Sequence, residues 1–248
     1  MSNSTIKLNK LGKNYFDKIG NKLEVLKNVS AEIYPNKITA FLAPQGSGKS
    51  SLLKIIAGIE THSNGDLICN SKVVYIPSEP SSFPWLTVKE NILDENNISN
   101  EELTSIIKLV GLKGYEDHKP DNRSIGFRFR ISLAKAIAYK ADFIILDEVF
   151  SLMSSESKVE LYELIKKLSK EGFSFIIGTS NITEALYLAS EIYLLSAKPG
   201  EIISKIDNKE SENYTLHSIA EEKFISKRNN IENIFKKEYS QVFAKLTI

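Results

Sequence analysis

Apolar positions in this chain fall into two kinds of run that alternate. Unbroken apolar or mostly apolar blocks occur at Lys37-Ile38-Thr39-Ala40-Phe41-Leu42, Val73-Val74-Tyr75-Ile76, Phe143-Ile144-Ile145-Leu146 and Phe173-Ser174-Phe175-Ile176-Ile177. Such blocks suit strands covered on both faces, as in a parallel sheet. Between them, apolar residues recur at helical spacing. Leu52, Leu53, Ile55 and Ile56 form one such set, closing near Gly58, and Leu161, Leu164, Ile165 and Leu168 form another, stopped by Gly172. A third set, Leu103, Ile106, Ile107 and Val110, has Asn100 as a candidate cap and ends at Gly111, and a further helical run spans about Gly126 to Tyr139. Residues 5–34 read as β-structure with polar interruptions, including Leu23 to Val29 before the turn Tyr34-Pro35-Asn36-Lys37, and strand-like residues return at Asp66 to Cys69. Pro77, Pro80 and Pro84 break the pattern within one short loop and predict a change of subdomain. Strand, helix and strand recur, which predicts an α/β fold with a mostly parallel core sheet. From Asn208 onward the chain is charged and Asn/Lys-rich, with a weak helical pattern between Ile219 and Phe243 and no assignable chemistry.

With 248 residues the chain can build one sizeable α/β domain carrying an inserted lobe. A formal net charge of +1, with both signs interspersed, gives no basic stripe, so nucleic acid is not an expected partner. No apolar run approaches the roughly 20 residues needed to span a bilayer, and Met1 to Thr5 hold no apolar signal core. The expectation is a soluble, cytosolic chain. Cys69 stands alone, and His62, His118 and His217 lack ligand spacing, so neither a disulfide frame nor a zinc cluster is expected.

The strand-like block at Lys37 to Leu42 leads directly into Ala43-Pro44-Gln45-Gly46-Ser47-Gly48-Lys49-Ser50-Ser51 and then into the first helical set. That is a phosphate-binding loop in the strand-to-helix setting it requires. Backbone N–H groups of Gln45 to Ser51 and the positive end of the helix would cradle an anion. Lys49 supplies a point charge for the β- and γ-phosphates, Ser50 a hydroxyl for Mg²⁺, and Gly46 and Gly48 let the backbone approach the phosphate oxygens. Ala43 stands where the first glycine usually does.

The block at Phe143 to Leu146 ends in Asp147-Glu148. A carboxylate at the end of a strand beside the phosphate loop can hold Mg²⁺, which fits Asp147, and Glu148 can polarise an attacking water. Standing alone, the pair would equally suit two solvated acids at a strand end; Lys49-Ser50 upstream favours the metal reading.

These features, together with Phe83-Pro84-Trp85-Leu86-Thr87-Val88-Lys89-Glu90-Asn91, Leu146 to Ser151, Glu184-Ala185 and Leu194-Leu195-Ser196-Ala197-Lys198-Pro199-Gly200, resemble an ATP-binding subunit of an ABC transporter over about residues 5–205. The Pro-Trp-Leu-Thr-Val-x-Glu-Asn stretch and the late Pro-Gly are most similar to the nitrate/sulfonate/taurine importer group. The resemblance implies a P-loop NTPase of ABC ATPase type, with an N-terminal antiparallel β-subdomain and a helical subdomain at about residues 85–137. It implies one ATP-binding domain over residues 1–207 and a charged, helical extension over 208–248. It further implies ATP and Mg²⁺ as ligands, integral membrane permease subunits and a second ABC ATPase subunit as partners, and a peripheral position on the cytoplasmic face of the membrane. Tyr15 would stack on adenine, unless it is a strand-edge aromatic; Trp85 would face the permease or pack the lobe.

Four departures from the family pattern accompany the match. The Leu-Ser-Gly-Gly-Gln signature, whose helix start grips the γ-phosphate of ATP on the opposite subunit, is Arg123-Ser124-Ile125-Gly126-Phe127 here; Ser124 and Gly126 remain, and Ile125 should obstruct the backbone's approach. The expected glutamine, aspartate and histidine are Ser78, Ser154 and Ser180. A serine hydroxyl is too short to replace imidazole and carries no positive charge. Groups that hold β-phosphate and Mg²⁺ are intact, whereas those that sense the γ-phosphate or cross the dimer interface are altered. The expectation is an ATP-binding transporter subunit with slow hydrolysis by Glu148. The alternatives are a regulatory or scaffold subunit that barely turns ATP over, and a phosphate-loop NTPase unconnected with membranes.

Overall fold

The computed structural model describes residues 5–79, 82–93, 98–121 and 123–246, with side chains through residue 238. Pro80 and Met1 to Ser4 lie outside the described residues. Two sheets organise the chain. The first is antiparallel, built from β1 (Ile6–Phe16), β2 (Lys22–Ile33) and β4 (Asn64–Ile68) in the order β2-β1-β4. The second has the order β5-β6-β7-β3-β8-β9, with β3 (Ile38–Leu42), β5 (Val73–Ile76), β6 (Phe143–Asp147), β7 (Phe175–Thr179), β8 (Glu191–Leu195) and β9 (Ile202–Asp207). All its neighbouring pairs are parallel except β8 with β9. Its central strands β3, β6 and β7 are buried at every residue, which is why they read as apolar blocks rather than alternating ones.

Helices cover the sheet in two layers. α1 (Lys49–Ile56) fills the gap toward the antiparallel sheet, where Leu52, Leu53 and Ile56 join Leu11, Val25, Leu26 and Phe41 in one apolar cluster. α4 (Ile125–Ala138), α5 (Ser155–Lys170), α6 (Ile182–Leu188) and α7 (Glu222–Leu246) pack in the second, larger cluster on the other face. α2 (Val88–Leu93) and α3 (Asn100–Leu109) complete the inserted helical segment through α2–α4 and α3–α4 packing.

Three element boundaries depart from the sequence reading for local reasons. Ser99, not Asn100, caps α3, its hydroxyl accepting from Glu102 N at 3.2 Å, and Asn100 is already helical. The strand expected at Phe173 starts at Phe175, because Phe173 N donates to Leu168 O in the turn that closes α5 around Gly172 at φ 99°. α2 is too short for helical spacing to show; it is pinned by buried Asn91, whose amide donates to Phe83 O, Leu86 O and Thr87 O.

The charged C-terminal segment is docked rather than loose. Asn208 Nδ2 donates to Leu186 O and Ala189 O at the end of α6. Lys227 donates to Asn208 Oδ1 and Glu210 Oε2, and Phe224 and Ile231 of α7 are buried in the larger cluster.

Candidate functional site

The phosphate loop sits at the carboxyl ends of the parallel strands, where open α/β sheets bind ligands. Ala43 directly follows β3 in the smaller core, its N–H donating to Thr179 O. Gly48 is the N-cap of α1 at φ 92° and has no side chain to cap it; the side-chain bond to the first turn is a long one, Ser47 Oγ accepting from Lys49 N at 3.4 Å. The remaining first-turn N–H groups and the dipole of α1 are thus presented to a ligand rather than to the protein. Both loop glycines have positive φ, but their surroundings differ. A Cβ on Gly46 would meet nothing within 4 Å, whereas one on Gly48 would lie 2.7 Å from Val25 Cγ1 and 2.8 Å from Val25 O. Gly48 is therefore demanded by the close approach of β2 as much as by phosphate.

Lys49 is buried and donates from Nζ to Glu148 Oε1 at 2.5 Å. Glu148 adopts φ 52°, a conformation that costs a non-glycine residue about 1–2 kcal/mol. Its backbone is held from both sides, its N–H donating to Gly178 O and its carbonyl accepting from Ser151 N and Oγ. Strain fixed in this way at the end of a core strand turns a carboxylate out of the strand line and toward the loop.

Asp147 is buried at the end of β6. Its Oδ2 accepts from Tyr75 OH at 2.7 Å, while Oδ1 is buried with no hydrogen-bond partner. Burial, and then the Asp147 carboxylate beside it, push the Tyr75 phenol far above its ordinary pKa, so Tyr75 stays a donor. An unpaired buried carboxylate oxygen beside the phosphate-loop lysine is what a hydrated Mg²⁺ would satisfy. Gly178 makes the room: a Cβ there would collide with Leu53 Cδ1 and lie 3.1 Å from Asp147 Oδ1 and 3.4 Å from Lys49 Cδ.

A cleft of about 380 Å³ runs from Gly46, Ser47, Gly48, Lys49, Ser50 and Ser51 to Tyr15, Leu23 and Val25, with Lys54, Glu60 and Lys198 on its rim. Tyr15 reaches it from the end of β1, its hydroxyl donating to Glu60 at 2.5 Å and lying 3.0 Å from Ser51 Oγ. Burial, then Glu60, hold its phenol above the ordinary value. Gln45 and Ser50 are exposed, and Ser47 is buried, its Oγ accepting from Lys49 N. Gly200 brings the Lys198 loop against this site: its N–H donates to Val25 O, its carbonyl accepts from Lys27 N, and a Cβ there would strike Ser47 O.

Ser124 and Gly126 do not join this cleft. Ser124 is the N-cap of α4, its Oγ accepting from Phe127 N, and Gly126 is buried in the first turn, lining a separate 210 Å³ hollow with Tyr115, Arg130 and Ser157. Ile125 packs its side chain against the larger core cluster of its own chain. Arg123 lies over the rings of Tyr115 and Phe127. At the other departures, Ser78 is half-buried after β5, Ser180 is exposed at the end of β7, and Ser154 is the N-cap of α5.

Sequence reasoning missed Tyr75, Gly178 and Lys198 as site residues. A glycine inside a strand signals close backbone approach, and that cue was available at Gly178. Tyr75 lay inside an apolar block, where nothing marks a hydroxyl.

The family profile described as ABC transporter matches residues 26–151. The chain is 33% identical over 196 residues to the aliphatic sulfonates import ATP-binding protein SsuB of Bacillus subtilis (strain 168), covering 74% of this chain and 77% of that one. Its counterpart in Bacillus anthracis is 31% identical over 217 residues, covering 82% and 86%. An uncharacterized ABC transporter ATP-binding protein, MJ0412 of Methanocaldococcus jannaschii, is 32% identical over 241 residues, covering 90% and 88%. Among solved structures, the dimeric post-hydrolysis state of the ATP-binding cassette MJ0796 bound to ADP and Pi superposes with a TM-score of 0.70 at 23% identity, over 82% of this chain and 98% of that one. At that identity the likeness shows the fold, which is the ABC ATPase type expected from the motifs.

Proposed function

The chain belongs to the ABC transporter family of ATP-binding subunits, and from that premise we propose that it binds Mg-ATP and couples closure of an ATPase dimer to an integral membrane permease, with slow hydrolysis. One observation carries the binding reading: buried Lys49, the first residue of α1, and the unpaired Oδ1 of Asp147 converge around Gly178. Backbone amides of Gln45 to Ser51 grip the triphosphate, Lys49 contacts the β- and γ-phosphates, and Tyr15 stacks on adenine. Ser50 and Asp147 hold Mg²⁺, which when bound neutralises charge on the phosphate oxygens. Glu148 orients and deprotonates the attacking water. Ser124 and Gly126, at the start of α4, belong to the nucleotide on the second ATPase subunit, homologous or identical.

Similarity to sulfonate import proteins supports a small-anion importer, peripheral on the cytoplasmic face of the membrane. No helix among the described residues is long and apolar enough to cross a membrane itself, which suits a subunit that relies on separate permease chains. Residues 1–207 act as the ATP-binding domain, with the lobe at about 85–137 inserted and 208–248 appended.

Slow turnover follows from Ser78, Ser154 and Ser180. None of them supplies a side chain that reaches the γ-phosphate with positive charge or carries a proton for it, and such a loss costs roughly 10²–10⁴-fold. The same substitutions favour the second reading, a nucleotide-binding regulatory subunit beside an intact ATPase. Calorimetry with Mg-ATP tests binding: the expected result is uptake that Lys49→Ala weakens at least about 10-fold, and no uptake by folded protein overturns the reading. Co-purification with permease chains, and turnover of that complex against its Glu148→Gln form, separates the two readings.

A further inference from the structure

Tyr75 joins two parts of the molecule that the chain itself keeps far apart. β5 is the edge strand of the large sheet, bonded only to β6. In that parallel pair Tyr75 lies opposite Ile145, so its ring follows the face of β6 on which Asp147 also projects, two residues further along. The hydroxyl spans the remaining distance and donates to Asp147 Oδ2 at 2.7 Å. Tyr75 is the only side chain hydrogen-bonded to that carboxylate among the described residues, and it leaves Oδ1 as the oxygen open to a metal ion or its water.

On its other side, Tyr75 is one residue from the end of β5, where the chain runs through Pro77, Ser78 and Glu79 into the loop that carries Phe83 and Trp85. From Phe83 onward that loop is firmly built. Phe83 N donates to Asn91 Oδ1, Asn91 returns bonds to Phe83 O, Leu86 O and Thr87 O, and the Phe83 and Trp85 rings lie 5.3 Å apart. α4 links strand and loop as well: it packs against β5, and its Lys135 Nζ lies 5.0 Å from the centroid of the Phe83 ring. An edge strand with one neighbour is also the sheet element that moves at least cost in backbone hydrogen bonds.

We propose that Tyr75 is the positioning residue of the metal-binding carboxylate, and that its hydrogen bond to Asp147 transmits metal occupancy through β5 to the Trp85 loop. The inference rests on the Mg-ATP reading above. It assigns to an apolar-block tyrosine a task that Ser78, with its short side chain, cannot perform.

Trp85 is the sole tryptophan and 65% exposed, so its emission reports on this loop without a label. In the full chain, Mg-ATP should change Trp85 emission more than ATP with EDTA does. Tyr75→Phe should leave ATP uptake in EDTA unchanged by calorimetry and raise the dissociation constant for Mn²⁺ on the ATP-loaded protein, read by electron paramagnetic resonance, by about 10-fold or more. It should also remove the metal-dependent part of the Trp85 response. Unchanged Mn²⁺ affinity and an unchanged response in the variant would overturn the inference while leaving ATP binding standing; no ATP uptake by wild type would overturn the underlying reading instead. Should the variant fail to fold, fluorotyrosine placed at position 75 keeps the hydroxyl. Its ¹⁹F resonance should shift with Mg-ATP and not with ATP in EDTA, and an identical spectrum in both would equally end the proposal.

Discussion

Lys49 Nζ and Glu148 Oε1 are joined by a 2.5 Å ion pair, so the lysine meant for phosphate and the carboxylate meant for water neutralise each other in the nucleotide-free chain. Incoming ATP must displace that bond. Glu148→Gln removes the competitor and should tighten Mg-ATP binding about two- to five-fold, the worth of a partly exposed pair, while abolishing residual hydrolysis. Lys49→Ala should weaken binding by roughly 10- to 150-fold, the loss of a hydrogen bond to a charged group. Titration calorimetry on the three proteins checks both directions, and weaker binding by Glu148→Gln would refute the competition.

Gly178 should be among the least replaceable residues of the core. A methyl group there collides with Leu53 and crowds Asp147 Oδ1 and Lys49 Cδ at once. Overpacking of this kind costs about 1–3 kcal/mol, or roughly 2–12 °C in melting temperature for a chain of this size. Gly178→Ala should also lose Mn²⁺ affinity, because the group displaced is the free carboxylate oxygen. Gly126→Ala is the control: its added carbon meets Ser157 and Leu161 at ordinary distances of 3.6 and 3.7 Å, and its melting temperature should stay near wild type.

The core was legible because β3 and β6 are buried at every residue and so read as apolar blocks, as does the half-buried β5, and α1 and α5 follow their helical spacing. The phosphate loop was legible because its chemistry is local, with glycine, lysine and serine adjacent in sequence. What escaped was contact between distant segments. Nothing near Tyr75 announces that its hydroxyl meets Asp147, 72 residues away. The departures also look different in three dimensions. Ser154 Oγ caps α5, accepting from Ser157 N, as an aspartate would, so that replacement keeps its structural task even where its electrostatic one is lost. Ile125 packs in part against its own core, a contact the sequence does not announce.

The clasp of the C-terminal segment should open in acid. Lys223, and then Lys227, hold the exposed Glu210 carboxyl down at about 2, from an ordinary 4.5. A depressed carboxyl contributes stability that is complete above its unfolded pKa and fades as pH falls through the folded one. The melting-temperature difference between wild type and Glu210→Gln should therefore be constant above about pH 5 and vanish on approach to pH 2, with salt reducing it throughout. A difference that grew on acidification would contradict the ion-pair assignment.

Restoring the missing polar groups should restore turnover if their loss is what slows it. Ser180 is exposed at the end of β7, and the adjacent Asn181 caps α6 through Thr183 N and Glu184 N, so a longer side chain at 180 disturbs neither strand nor helix. Ser78 is half-buried just after β5. Ser180→His adds a proton-carrying, positively chargeable group facing the γ-phosphate, and Ser78→Gln adds reach toward the attacking water. Each alone should raise steady-state ATP hydrolysis by about 10-fold, and together they should approach the roughly 10²–10⁴-fold that a positioned acid–base group is worth. Their effects should be more than additive, because one orients water for a phosphate that the other stabilises. The rates are to be compared with Glu148→Gln added to the double variant, which should return them to background. If the double variant hydrolyses ATP no faster than wild type while binding it equally well, the limitation lies elsewhere, and the partner subunit's signature helix becomes the place to look.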